Sequence, residues 1–183
     1  VFGGSWGSTY ALLYAEAFPK RVSAMILRGI FLARDQDYRW LYEEGASHVY
    51  PDFWEDFCSH VKPEERDDLV SAYYSRLTGT DEIARMAAAK AWSIWEARLA
   101  TLHPNHKLIE HFSDPRTAMS LAKIEAHYFK HKCFIEDNQI LDNIDKIQDI
   151  PGIIVHGRYD MVCTLDNAYT LNKAWPISEL HII

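Results

Sequence analysis

The sequence predicts an α/β protein, a parallel sheet with flanking helices into which a large all-helical segment is inserted, and three observations carry that prediction. The chain opens on Val1-Phe2-Gly3-Gly4, which reads as the end of a strand running straight into a helix. Apolar strand-like runs recur at 22–31 (VSAMILRGIF) and 153–157 (IIVHG) beside helix-compatible segments, the pattern of βαβ units. Between those runs, residues 34–132 carry almost no strand signal.

Taken in order, residues 8–18 are helix-compatible, Pro19 follows their end, and 22–31 supplies the next strand. In the middle zone Pro63-Glu64-Glu65 opens one helix, with proline near its start and acids in its first turn. Residues 81–101 form a second, rich in alanine and tryptophan, and Asp114-Pro115 precedes a third over 116–132. The zone is far longer than the roughly 2–6 residues that join elements in α/β units, so it is expected to be a cap over the sheet. After Pro151-Gly152, residues 153–157 read as a buried strand, 167–175 as a helix closed by Pro176, and 180–183 as a strand. The expected division is core 1–33, helical cap 34–132 and core again 133–183. Because both ends fall inside core strands, both ends of a longer parent are expected to be missing.

The 183 residues carry a net charge of −7, which argues against nucleic acid or an anionic membrane surface as partner, since phosphate binding needs clustered Lys and Arg. No apolar run approaches a membrane span. Cys58, Cys133 and Cys163 are odd in number and widely spaced, which fits reduced thiols in a cytoplasm better than a disulfide framework. Oligomeric state leaves no mark on the sequence.

Gly3-Gly4-Ser5-Trp6-Gly7 matches G-x-S-x-G at a strand-to-helix junction. That context gives the motif chemical meaning: a serine on a strained turn projects its Oγ, glycines flank it where side chains would collide, and the N–H of Trp6 can serve an oxyanion. Ser5 is therefore the candidate nucleophile. In this arrangement the acid follows a late strand, and Gly157-Arg158-Tyr159-Asp160 does so, making Asp160 the candidate acid; Asp166, its rival, reads as a helix-cap residue. The histidine should follow the next strand. His181 lies inside that strand and is not nominated, so the triad is expected to have two members in this chain. His127 and His131 lie four apart on a helix without an evident third ligand and read as surface or packing residues; no metal is assigned.

The middle zone carries two carboxylates on apolar helix faces. Glu125 lies within the stripe Ala118, Leu121, Ala122, Tyr128 and Phe129, and Glu96 within Ala88, Trp92, Trp95 and Leu99. An inward carboxylate is costly unless something positive meets it. Two readings stand: a structural Lys or Arg partner, or the free ammonium group of a substrate, which restricts hydrolysis to a peptide's N-terminal residue.

These blocks together, GGSWGS, LRGIF (27–31), WLYEEGAS (40–47), WSIWE (92–96), IEAHYF (124–129) and VHGRYDMVC (155–163), resemble the prolyl aminopeptidase (proline iminopeptidase) family across the whole chain. The resemblance implies an α/β-hydrolase core with a helical cap and release of N-terminal proline from peptides, without metal or other cofactor. It assigns Ser5 as nucleophile, Asp160 as triad acid, Trp6 as an oxyanion donor, and Glu96 and Glu125 as acids for the proline imino group. Phe31 becomes a wall of the proline pocket. Where the family shows an aromatic pair after the tryptophan equivalent to Trp40, this chain has Leu41-Tyr42, so only Tyr42 keeps the aromatic. The family's HGGPG segment and its histidine segment have no counterpart here and are expected beyond the ends, leaving the fragment itself inactive. An esterase or amidase of the same fold, and a non-catalytic truncated product, are the alternatives.

Overall fold

The computed structural model describes residues 1–183. Strands β1 (Phe2–Ser5), β2 (Met25–Ile30), β3 (Gly152–His156) and β4 (Ser178–Ile182) pair in chain order into one parallel sheet. Parallel strands need crossovers, and the chain supplies helix α1 (Trp6–Ala17) between β1 and β2. Helices α2 (Asp35–Tyr42), α3 (Ala46–Val49), α4 (Pro51–Ser59), α5 (Leu69–Thr78), α6 (Glu82–Leu99), α7 (His106–Ser113), α8 (Pro115–Lys130) and α9 (Gln139–Asp142) lie between β2 and β3, and α10 (Leu165–Ala174) between β3 and β4. The chain divides into two compact units: Val1–Asp37 with Ile135–Ile183, and Tyr38–Phe134.

In the sheet unit, alternation along β2 buries Met25 and Leu27 and exposes Ile26. The buried residues join Leu12 and Ala15 of α1, Ile154 of β3, Leu171 of α10 and Trp175 in one core. Gly29 breaks the alternation. Its φ of +50 inserts one extra residue, so Gly4 pairs with Arg28 but Ser5 pairs with Ile30, and Ile30 returns to the core. The expectation that residues 153–157 form a buried strand is corrected here: only alternate residues of β3 are buried, and Ile153 is exposed alongside Phe2 and Ile26 on the opposite face.

The helical unit contains no strand. Its helices start where acids or amides accept the first free N–H groups: Asp68 for α5, Asp81 for α6, Asn105 for α7 and Asp114 for α8. The helix expected to open at Pro63 begins instead as a 3₁₀ turn over Pro63–Asp68, and the α-helix starts only after the Asp68 cap. On α8, Ala118, Ala122 and Ala126 are fully buried at four-residue spacing, and so small a surface lets α6 pack close against it. Trp92 and Trp95 of α6, Phe57 of α4 and Tyr73 of α5 fill the centre. No helix of the chain is long and apolar enough to cross a membrane.

Candidate active site

Ser5 ends β1 and stands immediately before α1 with φ 54 and ψ −130. A residue with a Cβ in that region costs on the order of 1–3 kcal/mol, a strain that persists only where the surroundings impose it. The imposition is visible. A Cβ on Gly3 would lie 2.2 Å from the Gly7 carbonyl oxygen, so only glycine lets strand and helix meet that closely. Gly7 differs from expectation, because a Cβ there meets nothing within 4 Å. Ser5 makes no capping hydrogen bond to its own helix, leaving its exposed hydroxyl available, and Trp6 opens α1, where backbone N–H groups lack helical partners.

Two buried hydroxyls hold the helix start against β2. The Ser8 hydroxyl donates to the Ser5 carbonyl at 2.7 Å and accepts from the Phe31 N–H at 3.1 Å. Thr9 Oγ1 donates to the Phe31 carbonyl at 2.6 Å. Phe31, expected as a pocket wall, is thereby fixed by its backbone just past β2 and is buried in the sheet unit. Nothing in the spacing marked Ser8 and Thr9; their signal is two polar residues on a helix's buried side.

Asp160 follows β3 in a tight turn. Its Oδ1 accepts the N–H groups of Val162 and Cys163 at 3.0 and 2.8 Å. Its Oδ2 looks toward Gly29: a Cβ on that glycine would lie 3.6 Å from Oδ2 and 3.9 Å from the Ser5 nitrogen. Gly29, at the bulge in β2, thus lies between the Ser5 backbone and the Asp160 carboxylate. Sequence reasoning missed Gly29, which sits in a strand-like run. Asp166 is not the cap of α10: Thr164 precedes the helix, while Asp166 lies in its first turn and pairs with Arg34 at 3.3 Å.

The histidines take other places. His181 lies within β4 beside Glu179, and the rings of His127 and His131 lie 4.6 Å apart and tilted at the end of α8. His156 is buried, with a partner on each ring nitrogen, so neither is left to take a proton from Ser5.

In the helical unit the structure brings Glu96 of α6 and Glu125 of α8 together. Their carboxyls face one another, and the Trp92 indole N–H donates to Glu125 Oε2 at 2.9 Å. Burial pushes both carboxyls above the usual range, and the neighbouring Glu96 pushes Glu125 further. No lysine, arginine or histidine pairs with either, and Glu96 Oε2 is buried without a partner. Beside them Tyr42 stacks on Trp92 at 4.5 Å, with Phe129 5.6 Å from the Tyr42 ring. The role of Trp92 as donor was not legible from its place in an apolar stripe.

A serine at a strand-to-helix turn and an acid after a later parallel strand lie on either side of Gly29, and residues 1–183 match the alpha/beta hydrolase fold family. The chain belongs to that family. Among curated relatives it is 48% identical over 183 residues to the proline iminopeptidase of Xylella fastidiosa (strain 9a5c), covering 100% of this chain and 58% of the relative. It is 49% identical over 184 residues to a probable proline iminopeptidase of Leptolyngbya boryana (100% and 57% covered). Against the proline iminopeptidase of Arabidopsis thaliana it is 46% identical over 185 residues (100% and 49% covered). The chain thus spans about half the length of the relatives it matches.

Proposed function

We propose that the protein carrying this chain is a serine exopeptidase that releases N-terminal proline from peptides. The observation that carries the reading is the Glu96–Glu125 pair: two carboxyls withdrawn from water, with no cation of the protein to meet them. Such a pair is a site for a cation from elsewhere, and the secondary ammonium of an N-terminal proline supplies one charge and two N–H donors. Tyr42 and Phe129, stacked about Trp92, offer apolar surface for the ring. The names of the relatives agree with this choice.

In this reading Ser5 Oγ attacks the carbonyl of the N-terminal proline, and the N–H of Trp6 donates to the oxyanion that forms. The amine of the shortened peptide leaves, and water then hydrolyses the prolyl ester on Ser5. Asp160 Oδ2 orients the imidazole that accepts the Ser5 proton. That base is proposed to come from the part of the relatives' length that this chain does not span. The reaction needs no cofactor, and the helical segment supplies recognition through Glu96 and Glu125. The three cysteines are buried and none is in a disulfide, in keeping with a reducing, cytoplasmic setting.

Proline naphthylamide and its N-acetylated form separate this reading from an esterase or general amidase of the same fold. The acetyl group removes the cation and leaves the scissile bond unchanged. An exopeptidase of this kind hydrolyses only the free amine; comparable rates on both substrates would refute the assignment.

A further inference from the structure

His156, the last residue of β3, is 1% exposed and joins three segments of the sheet unit. The Ile30 N–H at the end of β2 donates to its Nδ1 at 3.0 Å, and its Nε2 lies 2.7 Å from the Cys163 carbonyl oxygen. An N–H pointing at Nδ1 requires that nitrogen to be bare, and a carbonyl at Nε2 requires a proton there. Its partners therefore set the ring as the neutral Nε2–H tautomer.

The residue it holds is the one that holds the acid. Cys163 gives its N–H to Asp160 Oδ1 at 2.8 Å and its carbonyl to His156, so one residue is gripped on both sides. Asp160 Oδ2 lies 3.8 Å from Nε2, too far for a hydrogen bond to the ring, and faces the Cβ-free surface of Gly29. The Ile30 arm anchors the same ring to the strand segment where the bulge at Gly29 is made.

We infer that His156 is a positioning residue: through the Cys163 carbonyl it fixes the turn that aims Asp160 Oδ2 across Gly29 toward the Ser5 side of the sheet. A purely apolar residue at this strand end would fill the same space but remove the Nε2–H donor from the Cys163 carbonyl, and with it one of the bonds that hold the turn. The inference rests on the reading of Asp160 as the triad acid.

Two measurements test it. On the chain itself, long-range nitrogen–proton NMR of the imidazoles should show His156 protonated at Nε2 and bare at Nδ1; the opposite tautomer overturns the inference without any substitution. In the active enzyme carrying this chain, the two arms can be cut separately. His156→Gln keeps a donor near the Nε2 position, while His156→Asn keeps an acceptor near Nδ1 and loses the Cys163 arm. The expected result is a roughly 100-fold loss of kcat for His156→Asn with KM little changed, the loss that a misplacement of about 1 Å produces, and a much smaller loss for His156→Gln. His156→Asn should also move the acid limb of the kcat/KM profile to lower pH, because an ill-aimed carboxylate no longer raises the pKa of the base. Equal losses in both variants, no loss in either, or an unmoved acid limb overturns the inference. Asp160→Asn serves as the reference: if it leaves activity intact, the triad reading fails, whereas if it abolishes activity while His156→Asn does not, only the role of His156 falls.

Discussion

Replacing Glu125 with glutamine separates recognition from chemistry. Glutamine keeps the side-chain length and an oxygen that accepts the Trp92 N–H now 2.9 Å from Glu125 Oε2, and its amide can donate to Glu96. The packing of α6 on α8 is undisturbed, so what changes is charge. Removing one member of a buried charge pair costs about 2–5 kcal/mol, and a middle value of about 3 kcal/mol lowers kcat/KM for a prolyl substrate roughly 150-fold. A simple ester without the ammonium group should lose no more than about threefold, because it makes no use of the pair. The pH dependence follows from the direction in which the carboxyls are shifted. Burial raises both, and Glu96 raises Glu125 further, so the pair gains protons as pH falls and is then a poorer partner for a cation; KM for the prolyl substrate rises toward acid pH. Stability runs the other way. A carboxyl whose folded pKa lies above its unfolded one costs nothing at acid pH, and its penalty grows as pH rises toward the folded value, so Glu125→Gln should melt above the parent chain near pH 8. The assay is steady-state kinetics on proline naphthylamide and a simple ester in parallel, with thermal melts as control. Equal losses on the two substrates in a folded variant would refute the recognition role.

Two further predictions concern the sheet unit. Ser5→Gly removes the proposed nucleophile and also the Cβ strained at φ 54, so activity should vanish while stability rises by about 1 kcal/mol or more, read as roughly 2–4 °C in Tm per kcal/mol; an unchanged or lower Tm would show that the turn is not strained. Glu16 of α1 is buried with Oε1 unpartnered, and burial pushes its pKa up to about 8 from 4.5. Here too the folded pKa exceeds the unfolded one, so each pH unit between those values costs about 1.4 kcal/mol. Glu16→Gln should therefore match the parent chain near pH 4 and exceed it clearly at pH 7.5 in chemical denaturation; a constant difference across that range would count against the shift.

Local chemistry made much of this protein legible in its sequence. Asp81, Asp114 and the prolines mark where helices begin, because the atoms that satisfy a helix end lie within a few residues of it. Gly3-Gly4-Ser5-Trp6-Gly7 announces its turn for the same reason: the clash that Gly3 avoids is with Gly7, four positions along. The place of Asp160 just after a strand was legible too, since Pro151-Gly152 and the apolar run behind it mark that strand. The rest depends on segments far apart in the chain that meet only inside the folded sheet unit or inside the folded helical unit. Glu96 and Glu125 each read as an acid on an apolar stripe, and a partner arginine was as good a reading as a ligand until packing of α6 on α8 set them against each other with no cation between. His156 looked like one residue of a strand run; its two partners come from the end of β2 and from the turn beyond β3. Gly29 looked like part of a strand, and only its register against β1 shows that it is an inserted residue. Periodicity and capping are decided by neighbours along the chain, so sequence alone marked the sheet strands, the long helices α1, α6 and α8 and the strand-to-helix turn at Ser5. Which carboxyl faces which, and what lies between Ser5 and Asp160, are decided by contacts across distant segments, and only the tertiary structure holds them.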